Sequence, residues 1–407
     1  MIARVWGKNF GVLKNFDVAL EPLTLLAGPN ASGKSTFLRA ARCLASVVRG
    51  PLYRKGGPSA VAVEVTWEQL VLGDFTKPTI LGVETEAGRV SGSYEVTLGR
   101  IGGRIAILDE KIECKGTTGK QFRFNSSTPE MDFGRGDSST LPRTRSLPFI
   151  SNRYRSDPKW AEVVAPLGEF VDTFSPFFVF RFSPGQLAVP VGLATQVRPD
   201  GYGFVAAMDT LAGEDPKGYA ELVSRLTTEF KFLKQVRVVP AQSVRTGEPI
   251  KLLMFEREGG VDVPGEFESD GVLLTLAYMW LAYCPRYSKT EVFPSAVAPR
   301  SLGIKLGPAI GIEEPETGAH AALLPNRIAT LRALVEGNFG RPPVQVIAST
   351  HSAALLRAIG DIGNIRDCAL HGDGSGEIRV PNETNIDAYL TYWAREIHEE
   401  SADAPKR

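Results

Sequence analysis

The sequence predicts an α/β fold in which a mostly parallel sheet, flanked by helices, joins an antiparallel β part and carries a mixed helical and β insertion. Three observations predict it. The apolar run Leu23 to Ala27 has the continuous pattern of a strand buried on both faces; it breaks at Gly28-Pro29-Asn30 and resumes with helical spacing at Phe37, Leu38, Ala41 and Leu44. Residues of about 59 to 124 alternate or cluster β-branched side chains between glycine turns, the pattern of hairpins. From residue 269 onward helical and strand patterns alternate, as they do in a parallel sheet with crossover helices.

Taken in order, Ile2 to Trp6 and Phe16 to Leu20 alternate as short strands ahead of Leu23. VAVEVTW, SYEVTL and RIAIL are the strands of the β-rich stretch, and the polar tract from Asn125 to Arg145 reads as a surface loop, with protein binding as its other reading. Residues of about 157 to 235 read as mostly helical, AELVSRLTTEFKFL included, with breaks at SPGQLAVPVG and RPDGYG. Strands return at VRVVPA and KLLMFE. The apolar stretch Gly271 to Cys284 is shorter than the roughly 18 residues a membrane span needs, so it is expected to be a buried helix. A strand at Ala309 to Ile312, a helix through Leu323 and Leu334, a strand at Val344 to Ala348 and a helix through Leu355 and Leu356 follow. There is no internal repeat and no sustained heptad pattern.

Composition narrows the class without naming a function. An apolar share of 43% suits a globular chain with a sizeable core, and 46 basic against 46 acidic residues give no net excess to advertise nucleic-acid binding. The four cysteines, Cys43, Cys114, Cys284 and Cys368, lack the paired spacing of zinc or redox motifs and are expected as buried free thiols. The N-terminal segment lacks a signal-peptide apolar run, so a cytoplasmic protein without membrane contact is expected.

The chemistry sits in three short motifs. Gly28-Pro29-Asn30-Ala31-Ser32-Gly33-Lys34-Ser35 fits G-x-x-x-x-G-K-S between a buried strand and a helix, and Thr36 continues the helix start. Glycine lets the backbone turn its N–H groups toward phosphate oxygens, the helix start adds its positive end, Lys34 reaches the β- and γ-phosphates and Ser35 binds magnesium. The second motif, Glu313-Glu314-Pro315-Glu316, closes the strand Ala309 to Ile312. Adjacent carboxylates at the tip of a buried strand are costly unless they meet a cation or water; Glu313 is assigned to magnesium and Glu314 to the attacking water. Third, His351 follows the strand Val344 to Ala348, at the edge where parallel sheets bind ligands, and is expected to contact the γ-phosphate. ATP and Mg2+ are the cofactors these motifs call for.

GPNASGKS, ESDGV at Glu268 to Val272, IGIEEPE at Ile310 to Glu316 and STHS at Ser349 to Ser352, in that order, resemble the ABC-type ATPases of the SMC, RecF and OLD-like group, among them bacterial phage-defence ATPases. The resemblance covers roughly 1–50 and 260–360 well. It implies an ATPase head at 1–55 and 240–407 and an inserted β-rich segment and helical lobe at 56–239. It also implies that Ser269, Asp270 and Gly271 are a signature motif whose helix start binds the γ-phosphate held by a partner copy, in a head-to-tail dimer or a higher oligomer. Two departures stand out: Glu313 replaces the usual Asp, and Ala319-His320-Ala321 replaces the usual Leu-His-Pro. The glutamine loop has only Gln69 and Gln121 as weak candidates.

Three functions compete: an ATP-driven switch in DNA maintenance or phage defence, the nucleotide-binding subunit of a membrane transporter, and a nucleotide-dependent scaffold. The long stretch between Lys34 and Ser269 fits RecF-like heads better than transporter subunits, as the family is known. The chain after His351 is short for a further domain of roughly 100 residues, so any nuclease or toxic effector is expected on a separate polypeptide. DNA binding is implied by the resemblance alone.

Overall fold

The computed structural model describes residues 1–48, 77–101, 104–126, 146, 148, 161–192, 197–284, 306–319, 323–338 and 341–402. VAVEVTW, nearly all of the polar tract, Gln69 and His320 lie outside them.

The chain opens with β1 (Ile2–Phe10), β2 (Leu13–Ala19), β3 (Leu23–Ala27) and α1 (Lys34–Val47). Next come β4 (Thr79–Ala87), β5 (Val90–Ile101), β6 (Arg104–Lys115), β7 (Gln121–Asn125), α2 (Ala161–Val171) and β8 (Phe177–Phe180). A third group holds α3 (Pro184–Leu187), β9 (Val191–Gly192), α4 (Phe204–Glu214), α5 (Pro216–Glu229), β10 (Leu233–Gln242), β11 (Pro249–Arg257) and β12 (Asp262–Pro264). The chain then runs through α6 (Asp270–Tyr283), β13 (Ala309–Glu313), α7 (Leu324–Glu336), β14 (Gln345–Thr350), α8 (Ala353–Ile359), β15 (Ile365–Leu370), β16 (Gly376–Arg379) and α9 (Ile386–Ala402).

A twelve-stranded sheet, ordered β7-β6-β5-β4-β1-β2-β16-β15-β3-β14-β13-β8, forms the backbone of the molecule. Its core, β15-β3-β14-β13-β8, is parallel throughout. Its wing, β7 to β2, is antiparallel. The expected α/β class with a P-loop core and an antiparallel part is therefore the fold, as a mixed sheet. All five residues of β3 are buried, because Leu23, Leu25 and Ala27 face one hydrophobic core and Leu26 faces the other beside α1. The two cores lie on opposite faces of the sheet, which is why the central strands β3 and β14 are buried at every position. Buried Gln345 joins core to wing: its amide donates to the Ile2 and Glu21 carbonyls at 2.8 and 3.0 Å and accepts from Ile2 N–H at 2.8 Å.

The stretch expected as one insertion, 56–239, divides three ways. β4 to β7 continue the main sheet from the edge of β1, since an exposed strand edge is satisfied by further pairing. β8, in a stretch that reads as mostly helical, adds to the free edge of β13 in parallel register. Its aromatic run FFVF is largely buried, and that burial outweighs the helical surroundings. Of the stretch's described elements, α3 to α5 and β9, with β10 to β12 running on past residue 239, form a second layer whose four-stranded sheet packs toward α6 through Leu222, Leu226, Leu253 and Phe255. β10 crosses the expected boundary at 239/240 and pairs with β11 along its length, so the second sheet extends to Pro264.

All four cysteines are buried, and none is in a disulfide with another described residue. Among the described residues no helix is long and apolar enough to cross a membrane.

Candidate active site

The three motifs converge because the parallel strands end at one level. Ala27 pairs with Thr350, and Ser349 pairs with Glu313. The residues that follow β3, β13 and β14 therefore leave the sheet at one edge, the edge at which parallel α/β sheets hold ligands.

The loop after β3 is shaped by close approach. A Cβ at Gly28 would lie 2.1 Å from the Cys368 carbonyl oxygen, and one at Gly33 would lie 2.5 Å from a Leu13 methyl. Gly33 takes a left-handed conformation (φ 100°) and caps α1 without a side-chain bond, so no side chain caps the first-turn N–H groups of α1. Ala31 is also left-handed, at φ 66°. Ser32 Oγ donates to the Pro29 carbonyl at 2.9 Å and pins the turn, while Pro29 and Asn30 stand at its rim. Lys34, 7% exposed, folds back so that Nζ donates to the Gly28 and Pro29 carbonyls at 2.8 and 2.5 Å. Burial pulls its ammonium pKa down, and Cys368, Glu314 and Glu316 oppose that shift. The strand registers bring Lys34 and the acidic motif to the same sheet edge. Ser35 is half-buried and Thr36 buried in the first turn of α1.

The acidic motif turns sharply. Glu314 sits at φ 48°, a strained conformation for a residue with a side chain, and its N–H donates to the Ser349 carbonyl at 2.9 Å. His351 Nδ1 lies 3.9 Å from Glu314 Oε1 and 3.6 Å from Glu316 Oε1. Glu316 Oε1 accepts from Thr350 Oγ1 at 2.6 Å and from the His351 N–H at 3.0 Å. Glu316 therefore locks the histidine turn to the acidic turn, a task its sequence position before a helix does not reveal. Arg181, one residue past β8, places Nη1 3.6 Å from Glu313 Oε2 and Nη2 3.8 Å from Glu314 Oε2. Sequence reading misses Arg181 because β8 lies in a stretch read as helical; the run FFVF was the available signal.

The site suits a magnesium-bound triphosphate. Uncapped N–H groups at a helix start, a buried lysine and a loop with no room for a Cβ fit phosphate. The donors nearest to a metal role, the Ser35 hydroxyl and Glu313, are hard oxygens. Among the described residues no group of three or more His, Cys, Asp or Glu could hold a metal by itself.

Ser269 caps α6, accepting from the Val272 N–H at 3.4 Å, and Glu268 accepts from the Ser269 N–H at 2.8 Å while Arg257 grips Glu268 at 2.9 and 3.0 Å. Ser269 and Asp270 are exposed, and a Cβ at Gly271 would lie 3.2 Å from the Gly318 carbonyl, in the turn after the acidic motif. Among the described residues no hydrogen bond or ion pair joins Ser269, Asp270 or Gly271 to the loop of Gly28 to Lys34. Gln121 is on β7, the outermost strand of the wing, away from this edge.

The profile of a family described as "AAA domain, putative AbiEii toxin, Type IV TA system" matches residues 23–357. An OLD nuclease of Thermus scotoductus is 31% identical over 101 residues, which make up 25% of this chain and 17% of that protein. The chain thus matches less than a fifth of that relative's length. Among solved structures, the SMC head domain from Thermotoga maritima aligns over 94% of this chain and 99% of its own, at 13% identity and a TM-score of 0.40. The SmcHead bound to the C-winged helix domain of ScpA aligns over 93% and 96%, at 13% identity and a TM-score of 0.44.

Proposed function

The chain belongs to this AAA-domain family, within the ABC-type, OLD-like group of ATPases that its motifs resemble, and on that premise we propose that it is a magnesium-dependent ATP hydrolase acting as an ATP-driven dimerisation switch. The carrying observation is the register of the central strands, which brings the glycine loop after β3, the acidic turn after β13 and His351 after β14 to a single sheet edge although they are far apart in sequence.

In this reading the N–H groups from Gly28 to Thr36 cradle the phosphates, and Lys34 leaves the Gly28 and Pro29 carbonyls to reach the β- and γ-oxygens. Ser35 and Glu313 would hold magnesium, which when bound would neutralise charge on the phosphate oxygens. Glu314, at the strained turn that ends β13, orients the attacking water. His351, steadied by Glu316, contacts the γ-phosphate. Ser269, Asp270 and Gly271, exposed at the start of α6, are available to a phosphate held by a second copy.

The biological setting proposed with it is the one the motif resemblance implies: DNA maintenance or anti-phage defence, with control of a separate nuclease-like effector. Affinity capture from the native host with mass spectrometry identifies that effector, and a salt-dependent DNA-binding assay with ATP decides whether DNA is bound. Glu314→Gln tests the chemistry. It is expected to keep ATP binding, slow turnover by about 100-fold or more, and accumulate as a dimer in light scattering with ATP. Wild-type turnover in that variant refutes the assignment.

A further inference from the structure

Arg181 belongs to no motif, yet it stands against both carboxylates of the acidic pair. β8 closes one end of the sheet, and its register sets Phe180 against Ile312, so Arg181 and Glu313 emerge side by side. The backbone there is held firmly: Arg181 N–H donates to the Pro199 carbonyl at 3.0 Å, and Ser183 N–H to the Asp200 carbonyl at 2.9 Å. The side chain is not held in the same way. It is 68% exposed, and its approaches of 3.6 and 3.8 Å to Glu313 and Glu314 are longer than hydrogen bonds. Charge alone draws it there. On its other oxygen, Glu314 faces His351 Nδ1 at 3.9 Å, so the carboxylate is bracketed between guanidinium and imidazole.

We infer that Arg181 is the built-in counter-ion of the acidic pair: it positions the Glu314 carboxylate and competes with the divalent cation for Glu313. This rests on the roles given to Glu313 and Glu314 above. Three physical facts support it. A guanidinium keeps its charge at every working pH, so the competition is permanent. A cation within about 4 Å of a half-buried carboxylate is only partly screened by water and salt, so it lowers the affinity of that carboxylate for a second cation. The planar fork also reaches two carboxylates at once, which a lysine ammonium does not do with fixed geometry.

Charge and geometry are therefore separable by substitution. In Arg181→Gln, Mn2+ binding with a non-hydrolysable ATP analogue, followed by electron paramagnetic resonance, is expected to tighten about three- to tenfold as the competing charge is lost. The same variant is expected to lose about tenfold in kcat with KM for ATP held within about twofold, since a loosened Glu314 harms the chemical step and not binding. Arg181→Lys keeps the charge and loses the fork, so its Mn2+ affinity stays at the wild-type value while kcat recovers only in part. An exposed side chain predicts an unchanged melting temperature for both variants, which excludes misfolding as the cause.

Unchanged or weakened Mn2+ binding in Arg181→Gln overturns the counter-ion role, and unchanged kcat overturns the positioning role. Glu314→Gln measured in parallel separates the two levels of the argument. If that variant is inactive while Arg181→Gln behaves as wild type, only this inference fails; if Glu314→Gln hydrolyses ATP normally, the underlying site assignment fails with it.

Discussion

A methyl group at position 28 would collide with backbone, not with a side chain that could turn away, because the Cys368 carbonyl would lie 2.1 Å from it. Gly28→Ala must therefore shift either β15 or the loop. It is expected to weaken ATP binding by at least about tenfold, measured with a fluorescent ATP analogue, and to lower the melting temperature by a few degrees. Lys34→Ala should abolish binding in the same titration, since it deletes a cation that already lies among the loop carbonyls and acidic groups. Glu316 works at this scale too. Its Oε1 accepts two bonds, while buried Oε2 has no hydrogen-bond partner among the described residues. Such a group is costly to bury and is kept where it orders a turn.

Among the elements, β8 and α6 carry the consequences. Phe180 on β8 is fully buried against Phe182 and sits one residue before Arg181. Phe180→Ala is expected to cost about 3–5 kcal/mol in denaturant unfolding, by lost burial and a cavity. At the start of α6, Ser269 makes a long cap bond of 3.4 Å. Its loss in Ser269→Ala is expected to cost at most about 1 kcal/mol. A large fall in ATP turnover with that small change in stability would mark the residue as a phosphate contact, and unchanged turnover would leave it a cap.

At the scale of the whole molecule, a head-to-tail dimer has a testable arithmetic. Each site would join the phosphate loop of one copy to the signature of the other. Lys34→Ala and Ser269→Arg should each be inactive alone, yet a mixture of the two should regain about a quarter of wild-type turnover, because half the randomly formed dimers contain one intact site. No recovery on mixing would argue that each chain works by itself.

The glycine loop, the acidic turn and the histidine, as the ends of particular strands, were legible in the sequence, because each of those strand patterns is local. β3 occupies the range its apolar run marks, Leu23–Ala27, and the helix after the glycine turn begins at Lys34. Tertiary structure decided what depends on pairing between distant segments. FFVF becomes a strand only because β13 offers it an edge, and 79–125 joins the main sheet only because β1 does the same. Arg181 acquires its contacts through the β8–β13 register, and Glu316 through that of β13 and β14. Local periodicity sets which face of a segment is apolar; the partner that covers it, and the side chains that meet as a result, are set by packing over the whole chain.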